Sequence, residues 1–297
     1  MTRKLSASTV TLLTIPPLLW AGNAIVGRMV REAVPPMTLN LLRWSIALLI
    51  LLPLGRALFK HRPLDNWRRY SVLGLLGIGL YNSFQYLALQ TSTPINVTLV
   101  ASGMPVWMLL VGALFFGVKT NAKQLGGAAL SIAGVLVVLC RGEWELLLAM
   151  HMVPGDVYMI LATIAWSFYS WLLMQPKDPP AVRADWAAFL LAQVMFGVLW
   201  SGAFAIGEQA MGAPAIAWSW VVAAALLYVA IGPAIIAFRC WGAGVQRAGP
   251  TLGSFFVNLT PLFTALMSTL FLGEMPHLYH GVAFALIVGG IVFFART

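Results

Sequence analysis

The sequence predicts an all-α membrane protein with ten transmembrane helices, arranged as two five-helix halves in a 5+5 inverted-topology repeat. Three observations predict this class. Hydrophobic residues make up 60 % of the 297 residues and charged residues only 9 %, whereas a soluble domain carries about 25 % charged residues. The hydrophobic residues also come in blocks long enough to cross a bilayer as a helix. Finally, the second half of the chain repeats landmarks of the first.

Ten apolar blocks separated by short polar connections define the predicted spans. The blocks are too long and continuous for the alternating strands of a membrane β-barrel. Arg3 and Lys4 precede the first block as in a signal peptide, but the block continues too far, so we interpret it as a span. The predicted boundaries are 8–29, 36–56, 69–91, 94–117, 122–141, 153–174, 185–207, 218–245, 249–273 and 277–295.

Basic residues indicate the orientation of the spans. With the N-terminus in the cytoplasm, thirteen of the 18 Lys and Arg residues fall on the cytoplasmic side and only Arg28, Arg31 and Arg141 on the outer side. Arg43 and Arg239 fall within spans. Because Lys and Arg collect on the cytoplasmic side, we expect both termini there. The net charge of +9 is explained in this way and requires no nucleic-acid partner.

The two halves, residues 1–145 and 146–297, share matched residues at an offset of 156 positions. Trp20 and Trp166 match at an offset of 146. Five spans in each half make the second half enter from the opposite side, and inverted repeats are typical of transporters that work by alternating access. The alternative is a duplicated structural scaffold. The matched pairs are Pro94 and Pro250, Pro105 and Pro261, Gly117 and Gly273, and Gln90 and Gln246.

Short motifs in this arrangement resemble the drug/metabolite transporter superfamily, in its EamA-type branch. They are Trp-Ala-Gly-Asn at 20–23, Leu-Leu-Arg-Trp at 41–44, Leu-Phe-Leu-Gly-Glu at 270–274 and the proline-centred fourth and ninth spans. The likeness covers essentially the whole chain. Within the family, the sequence is similar to bacterial exporters of aromatic amino acids. The resemblance implies a ten-helix transporter of small metabolites in a bacterial inner membrane.

The candidate substrate-binding residues are aromatic and polar side chains near the middle of their spans. Trp20 and Asn23 share one helical face, as do Trp166, Tyr169 and Ser170. Aromatic rings at this depth are not interface anchors, and we expect them to line a cavity; the alternative is ordinary packing. The full candidate set is Trp20, Asn23, Asn40, Arg43, Tyr81, Gln85, Ser102, Trp166, Tyr169, Ser170, Ser254 and Asn258.

Arg43 lies within the second span, where a buried arginine needs a partner. It either attracts a substrate carboxylate or ties backbone carbonyls at a broken helix, and the sequence does not decide between the two. All nine acidic residues fall at span ends or in connections. Because proton-coupled export of organic cations normally needs a buried acid, we expect a facilitator without a buried carboxylate.

Pro105 and Pro261 lie close to the middle of the fourth and ninth spans, where each would remove one helical hydrogen bond and act as a hinge or a static kink. Small residues recur every four positions in the tenth span (Gly281, Ala285, Gly289) and match Ala129 and Ala133 of the fifth. We expect these two spans to pack closely, as a structural base or as a contact between two copies.

The leading hypothesis is export of aromatic or other bulky neutral amino acids, as a monomer or homodimer among membrane lipids, without a cofactor. Broad-specificity metabolite or drug efflux is the alternative. A membrane-embedded lipid enzyme is less favoured, because it needs a nucleophile, base or metal cluster. Its one candidate metal site is Glu274, His277 and His280, and we predict no metal and no catalytic residue.

Overall fold

The computed structural model describes residues 6–92, 97, 100–140, 143, 145, 148, 153–272 and 278–295. Every secondary-structure element within these residues is helical. The main helices are α1 (Ala7–Met29), α2 (Pro36–Leu54), α3 (67–91), α4 (Met104–Phe115), α5 (Ala122–Leu139), α6 (Pro154–Met174), α7 (Trp186–Ala210), α8 (Trp220–Ala248), α9 (250–272) and α10 (Leu278–Ala295).

Six of these helices, α1, α2, α3, α6, α7 and α8, are long and apolar enough to cross a bilayer. The helices α4, α5 and α10 are apolar but shorter. The chain is therefore a multi-pass helical membrane protein. Its α1, α2 and α6 agree with the predicted first, second and sixth spans to within a few residues. The count of ten spans and the inverted relation of the halves remain predictions.

The helices α3 and α8 each contain a π-helical stretch at their middle. In α3 it is Leu75–Leu80, between Trp67–Gly74 and Tyr81–Thr91. In α8 it is Ala230–Ile236, between Trp220–Val229 and Ala237–Ala248. Pro233 lies inside the second stretch, and a proline inside a helix removes one backbone hydrogen bond, which a local π distortion accommodates. Such stretches occur frequently at functional sites.

Helices from the two halves of the chain pack against one another throughout the bundle. The contacting pairs include α2 with α7, α3 with α6, α4 with α9, α1 with α8 and α5 with α10. The two halves therefore form one interlocked bundle, and the protein has its core between them.

The helices α5 and α10 pack as predicted, but through a different face from the one expected. A Cβ added at Gly127 would lie 3.1 Å from the carbonyl oxygen of Gly290, so the two backbones approach closely there. The predicted contact residues Ala129 and Gly281 are instead exposed. Small residues occur on both faces of these helices, and their spacing alone did not identify the packed face.

Two acidic residues connect helices at opposite ends of the bundle. The Glu208 carboxylate of α7 accepts hydrogen bonds from the backbone N–H groups of Met37 and Thr38, both at 2.8 Å, and so caps the first turn of α2. At the other end Asp178 is bound by Arg69 of α3 at 2.6 Å and by Arg183 at 3.2 Å. We call this second end, where α1 and α7 begin and α6 and α8 end, the basic end.

Candidate functional site

A cluster of aromatic rings fills the centre of the bundle around Trp166. This side chain is fully buried, and its ring centroid lies 4.7–5.4 Å from those of five neighbours. Trp20 meets it edge to face at 5.2 Å, from the other half of the chain. Helical spacing brings Trp166 next to Tyr169 and Phe238 next to Trp241, because residues three apart on a helix share a face. The aromatic cluster consists of Trp20, Tyr81, Trp166, Tyr169, Phe238 and Trp241.

A small cavity of about 50 Å³ lies on one side of the aromatic cluster, away from the basic end. Trp20 and Tyr81 contribute its aromatic wall. Its predicted polar residues are Gln85, Ser102 and Asn258. Five of the twelve candidate binding residues therefore surround one cavity, contributed by α1, α3, α9 and the turn of helix before α4.

Asn258 presents an unpartnered acceptor beside this cavity. The residue is fully buried, and its Nδ2 donates to Ser131 Oγ at 2.9 Å. Its Oδ1 has no hydrogen-bond partner among the described residues, nor does the hydroxyl of Thr260, which also lines the cavity. A buried polar atom without a partner is costly. Asn258 Oδ1 and the Thr260 hydroxyl therefore keep unused hydrogen-bonding capacity next to the small cavity.

A larger cavity, the basic cavity, opens on the other side of the aromatic cluster. Its volume is about 400 Å³. The rings of Tyr169 and Phe238 line it, and Arg183, Arg239 and Arg247 line it near the basic end. Since Trp20 and Tyr81 line the small cavity and Trp166 touches all four rings, the aromatic cluster separates the two cavities.

Arg43 lies outside the linings of both cavities. It is fully buried, and its Nη1 donates to Asn82 Oδ1 at 2.9 Å, to Tyr86 Oη at 3.0 Å and more weakly to Asn23 Oδ1 at 3.5 Å. Its Nε and Nη2 have no hydrogen-bond partner among the described residues. The expected structural tie to backbone carbonyls was wrong in its partners, because the acceptors are side chains of α1 and α3.

Four other candidate residues form hydrogen bonds inside the bundle, and those of Asn23, Asn40 and Ser170 join different helices. Asn40 donates from Nδ2 to the carbonyl oxygen of Ile78 at 3.0 Å and to Ser201 Oγ at 3.1 Å. Ser170 accepts from Trp241 Nε1 at 3.1 Å. Ser254 donates to the carbonyl oxygen of Thr251 within its own helix. None of the four residues lines either cavity. They are Asn23, Asn40, Ser170 and Ser254.

The prolines predicted as hinges follow a break in their helices. Pro105 lies in the first turn of α4, after a turn at Gly103. Pro261 lies at the start of Thr260–Leu272, after turns at Asn258 and Leu259 that separate it from Pro250–Val257. The expectation that each proline removes a hydrogen bond inside a continuous helix was wrong, because a first turn has no N–H bond to lose.

Several residues of the site were not predicted. Phe238 and Trp241 complete the aromatic cluster, and their spacing of three residues in an apolar span was the available signal. Arg239 lines the basic cavity, with its Cζ 4.3 Å from the ring centroid of Trp186.

Among the described residues, three acidic side chains are buried, and each has a structural partner at a helix end or in a connection. They are Asp156, which binds Ser92 and the Val153 N–H, together with Asp178 and Glu208. Within the part of the chain that the structure describes, no group of three His, Cys, Asp or Glu residues is placed to hold a metal. Glu274 and His277 lie outside the described residues.

Comparison with known proteins places this geometry in context. The model of the EamA-like transporter family matches residues 7–140 and 153–296. An uncharacterized transporter of Archaeoglobus fulgidus is 27 % identical over 97 % of both chains. The aromatic amino acid exporter YddG of Ancylobacter novellus is 27 % identical over 96 % of both chains. A probable amino-acid metabolite efflux pump of Salmonella typhimurium is 26 % identical over 86 % of this chain and 84 % of its own.

A solved crystal structure has the same fold, with a TM-score of 0.73 and 23 % sequence identity over 97 % of this chain and 96 % of that chain.

Proposed function

This chain belongs to the EamA-like transporter family, and from that premise we propose that it exports aromatic or other bulky neutral amino acids by alternating access. Its relatives are named as a transporter, an exporter and an efflux pump, and not as enzymes. The proposal includes the amino-acid substrate, its route through the bundle and the force that drives its transport.

One observation carries the proposal: Trp166 separates two cavities that approach it from opposite ends of the bundle. An alternating-access transporter needs a central site that is closed from one side at a time. Here the basic cavity, about 400 Å³, has the size of a small-molecule pocket, whereas the small cavity, about 50 Å³, does not. The substrate thus reaches the aromatic cluster from the basic end, and the small cavity expands when the opposite side opens.

The chemistry of the small cavity supports an amino acid as the substrate. The rings of Trp20 and Tyr81 offer flat apolar surfaces to an aromatic or bulky side chain. Asn258 Oδ1, which has no partner among the described residues, accepts a hydrogen bond from the substrate ammonium group. A neutral acceptor of this kind suits a zwitterion, whereas a cationic drug calls for a buried carboxylate.

The packing of the two halves supports the route. Because α1 packs on α8 and α3 packs on α6, a rocking motion of one half against the other would change both cavities together. The helix breaks before Pro105 and Pro261, at Gly103 and at Asn258–Leu259, serve as the hinges. The tally of basic residues supports a cytoplasmic location of the basic end and both termini. Relatives described as inner membrane transporters support the choice of membrane.

The driving force follows from the acidic residues. Asp156, Asp178 and Glu208 already have structural partners near the ends of the bundle, which leaves no central carboxylate among the described residues to exchange protons. We therefore propose a facilitator that runs down the gradient of its substrate.

Initial rates of uptake of radiolabelled phenylalanine and tryptophan into proteoliposomes test the proposal. Saturable uptake by the wild-type protein is expected, with a several-fold loss in Trp20→Ala and a smaller loss in Trp20→Phe, which keeps a ring but loses the bond from Nε1 to the Pro233 carbonyl oxygen. Uptake by Trp20→Ala equal to that of the wild type would argue against the aromatic cluster as the route.

Broad metabolite efflux is the second candidate, and the basic cavity favours it. Three arginines line this cavity, and such a surface attracts the carboxylate of many metabolites besides amino acids. Equal inhibition of phenylalanine uptake by structurally unrelated carboxylates would favour this candidate over a dedicated amino-acid exporter.

A further inference from the structure

Positively charged side chains line the basic cavity. The three are Arg183, Arg239 and Arg247, of which Arg183 shares the Asp178 carboxylate with Arg69. None of the residues that line the cavity is acidic. In a cavity with low-dielectric walls, a lining of one sign of charge raises the local concentration of the opposite ion. The cavity is therefore suited to an anionic group.

Arg239 is the arginine best placed to bind that group. It lies in α8, directly after Phe238, and its guanidinium packs over the ring of Trp186 with Cζ 4.3 Å from the centroid. A stacked guanidinium keeps its in-plane N–H donors available, in the geometry that matches a carboxylate. Trp186 is itself fixed at the start of α7, where Asp185 caps the helix by accepting from two backbone N–H groups.

The inner wall of the basic cavity is apolar. The rings of Tyr169 and Phe238 line it, and both belong to the aromatic cluster. The polar tip of Tyr169 is already engaged, because its hydroxyl donates to Gln193 Oε1 at 2.9 Å. The wall therefore presents ring surface rather than free polar groups to a ligand.

Small residues keep the cavity open beside Arg239. Gly242 and Ala243 follow it by three and four positions and line the same cavity. A Cβ added at Gly242 would meet nothing within 4 Å. A ligand thus has room next to the guanidinium without any displacement of the protein.

We propose that the basic cavity is a binding site for amphiphilic carboxylates, in which Arg239 pairs with the carboxylate and the rings of Tyr169 and Phe238 receive the apolar group. The site selects substrates that carry a carboxylate group before they reach the aromatic cluster. This role in selection rests on the proposed export function, whereas the binding itself does not.

Competition binding to the purified full-length protein tests the site, with labelled 3-phenylpropionate as the probe. Unlabelled phenylalanine is expected to compete, whereas phenylalaninamide, which has an ammonium group but no carboxylate, is not. Arg239→Gln is expected to raise the Kd of the probe about tenfold, and Arg239→Lys less, because a lysine keeps the charge without the planar donors. Arg68→Gln, at the same end but outside the lining, should leave the Kd unchanged.

A second variant blocks the site without removing a charge. Gly242→Leu places a side chain in open space, so it should fold normally and abolish binding of the probe. Unchanged binding in both Arg239→Gln and Gly242→Leu would overturn the proposal, even if the wild-type protein transports phenylalanine. Conversely, binding of 3-phenylpropionate that depends on Arg239, without any phenylalanine flux, would uphold the site and overturn the proposed function.

Discussion

The indole rings of Trp20 and Trp166 meet edge to face at the centre of the bundle, with their centroids 5.2 Å apart. Each belongs to a different half of the chain. Trp20 also donates from Nε1 to the carbonyl oxygen of Pro233, in the π-helical stretch of α8. The contact therefore joins α1, α6 and α8 within the aromatic cluster that lies between the two cavities, and a motion that opens one cavity toward the other must change it.

Replacing Trp166 should open a path between the cavities. Trp166→Ala removes a fully buried ring, which typically costs about 3–5 kcal/mol of stability, and should give faster, non-saturable leakage of phenylalanine from loaded proteoliposomes. Trp166→Phe should be much milder, because Nε1 has no hydrogen-bond partner to lose among the described residues. Leakage no faster in Trp166→Ala than in Trp166→Phe would mean that this ring does not separate the cavities.

Replacing Arg43 should affect stability more than substrate affinity. Arg43→Lys keeps the charge but loses the planar donors that reach Asn82 and Tyr86, and we expect a loss of about 2–4 kcal/mol, seen as a lower melting temperature in detergent. The KM for phenylalanine should stay within about twofold, because Arg43 lines neither cavity. A large rise in KM at unchanged melting temperature would instead assign Arg43 to the substrate carboxylate.

Breaking the charge cluster at the basic end should destabilise the bundle. Asp178→Asn leaves Arg69 and Arg183 without their shared carboxylate, and loss of one partner of a buried ion pair costs about 3–5 kcal/mol. A marked fall in melting temperature is expected. Asp65→Asn, an exposed site near the start of α3, is the control and should be neutral. Equal melting temperatures of the two variants would contradict the structural role of Asp178.

Two glycines of α10 should respond in opposite ways to the same change. In Gly290→Ala the new Cβ would lie 2.8 Å from the carbonyl oxygen of Gly127, so α5 and α10 must separate, at a cost of about 1–3 kcal/mol. In Gly281→Ala it meets nothing within 4 Å, and the better helix propensity of alanine should stabilise the protein by up to about 1 kcal/mol. Thermal unfolding of the two variants measures the difference. A Gly281→Ala protein that is the less stable of the two would show that this face of α10 is packed.

An imposed proton gradient should not drive accumulation of the substrate. The buried carboxylates Asp156, Asp178 and Glu208 have structural partners, so none of them is available to carry a proton with each turnover. Proteoliposomes with equal phenylalanine on both sides should show no net flux when the external pH is changed. Net accumulation that disappears with a protonophore would establish proton coupling.

Sequence patterns predicted the helical membrane class and several span boundaries because hydrophobicity and length are properties of single segments. Of the twelve candidate binding residues, Trp20, Tyr81, Gln85, Ser102 and Asn258 line one cavity. Others bond between helices instead, because a buried polar side chain in a bundle can serve either role. The packed face of α5 and α10 was not predictable in this way, because both faces carry small residues. Neither was the contact of Arg239 with Trp186, which depends on where α7 lies, nor the partners of Arg43, which come from two other helices.

Counterflow in proteoliposomes tests most directly the claim that the chain carries amino acids through its aromatic centre. Vesicles are loaded with unlabelled phenylalanine, diluted into a trace of labelled phenylalanine and sampled over time. A transient overshoot of internal label is expected in the wild-type protein, and its loss is expected in Trp20→Ala. No overshoot in the wild type, or an undiminished one in Trp20→Ala, would contradict the claim.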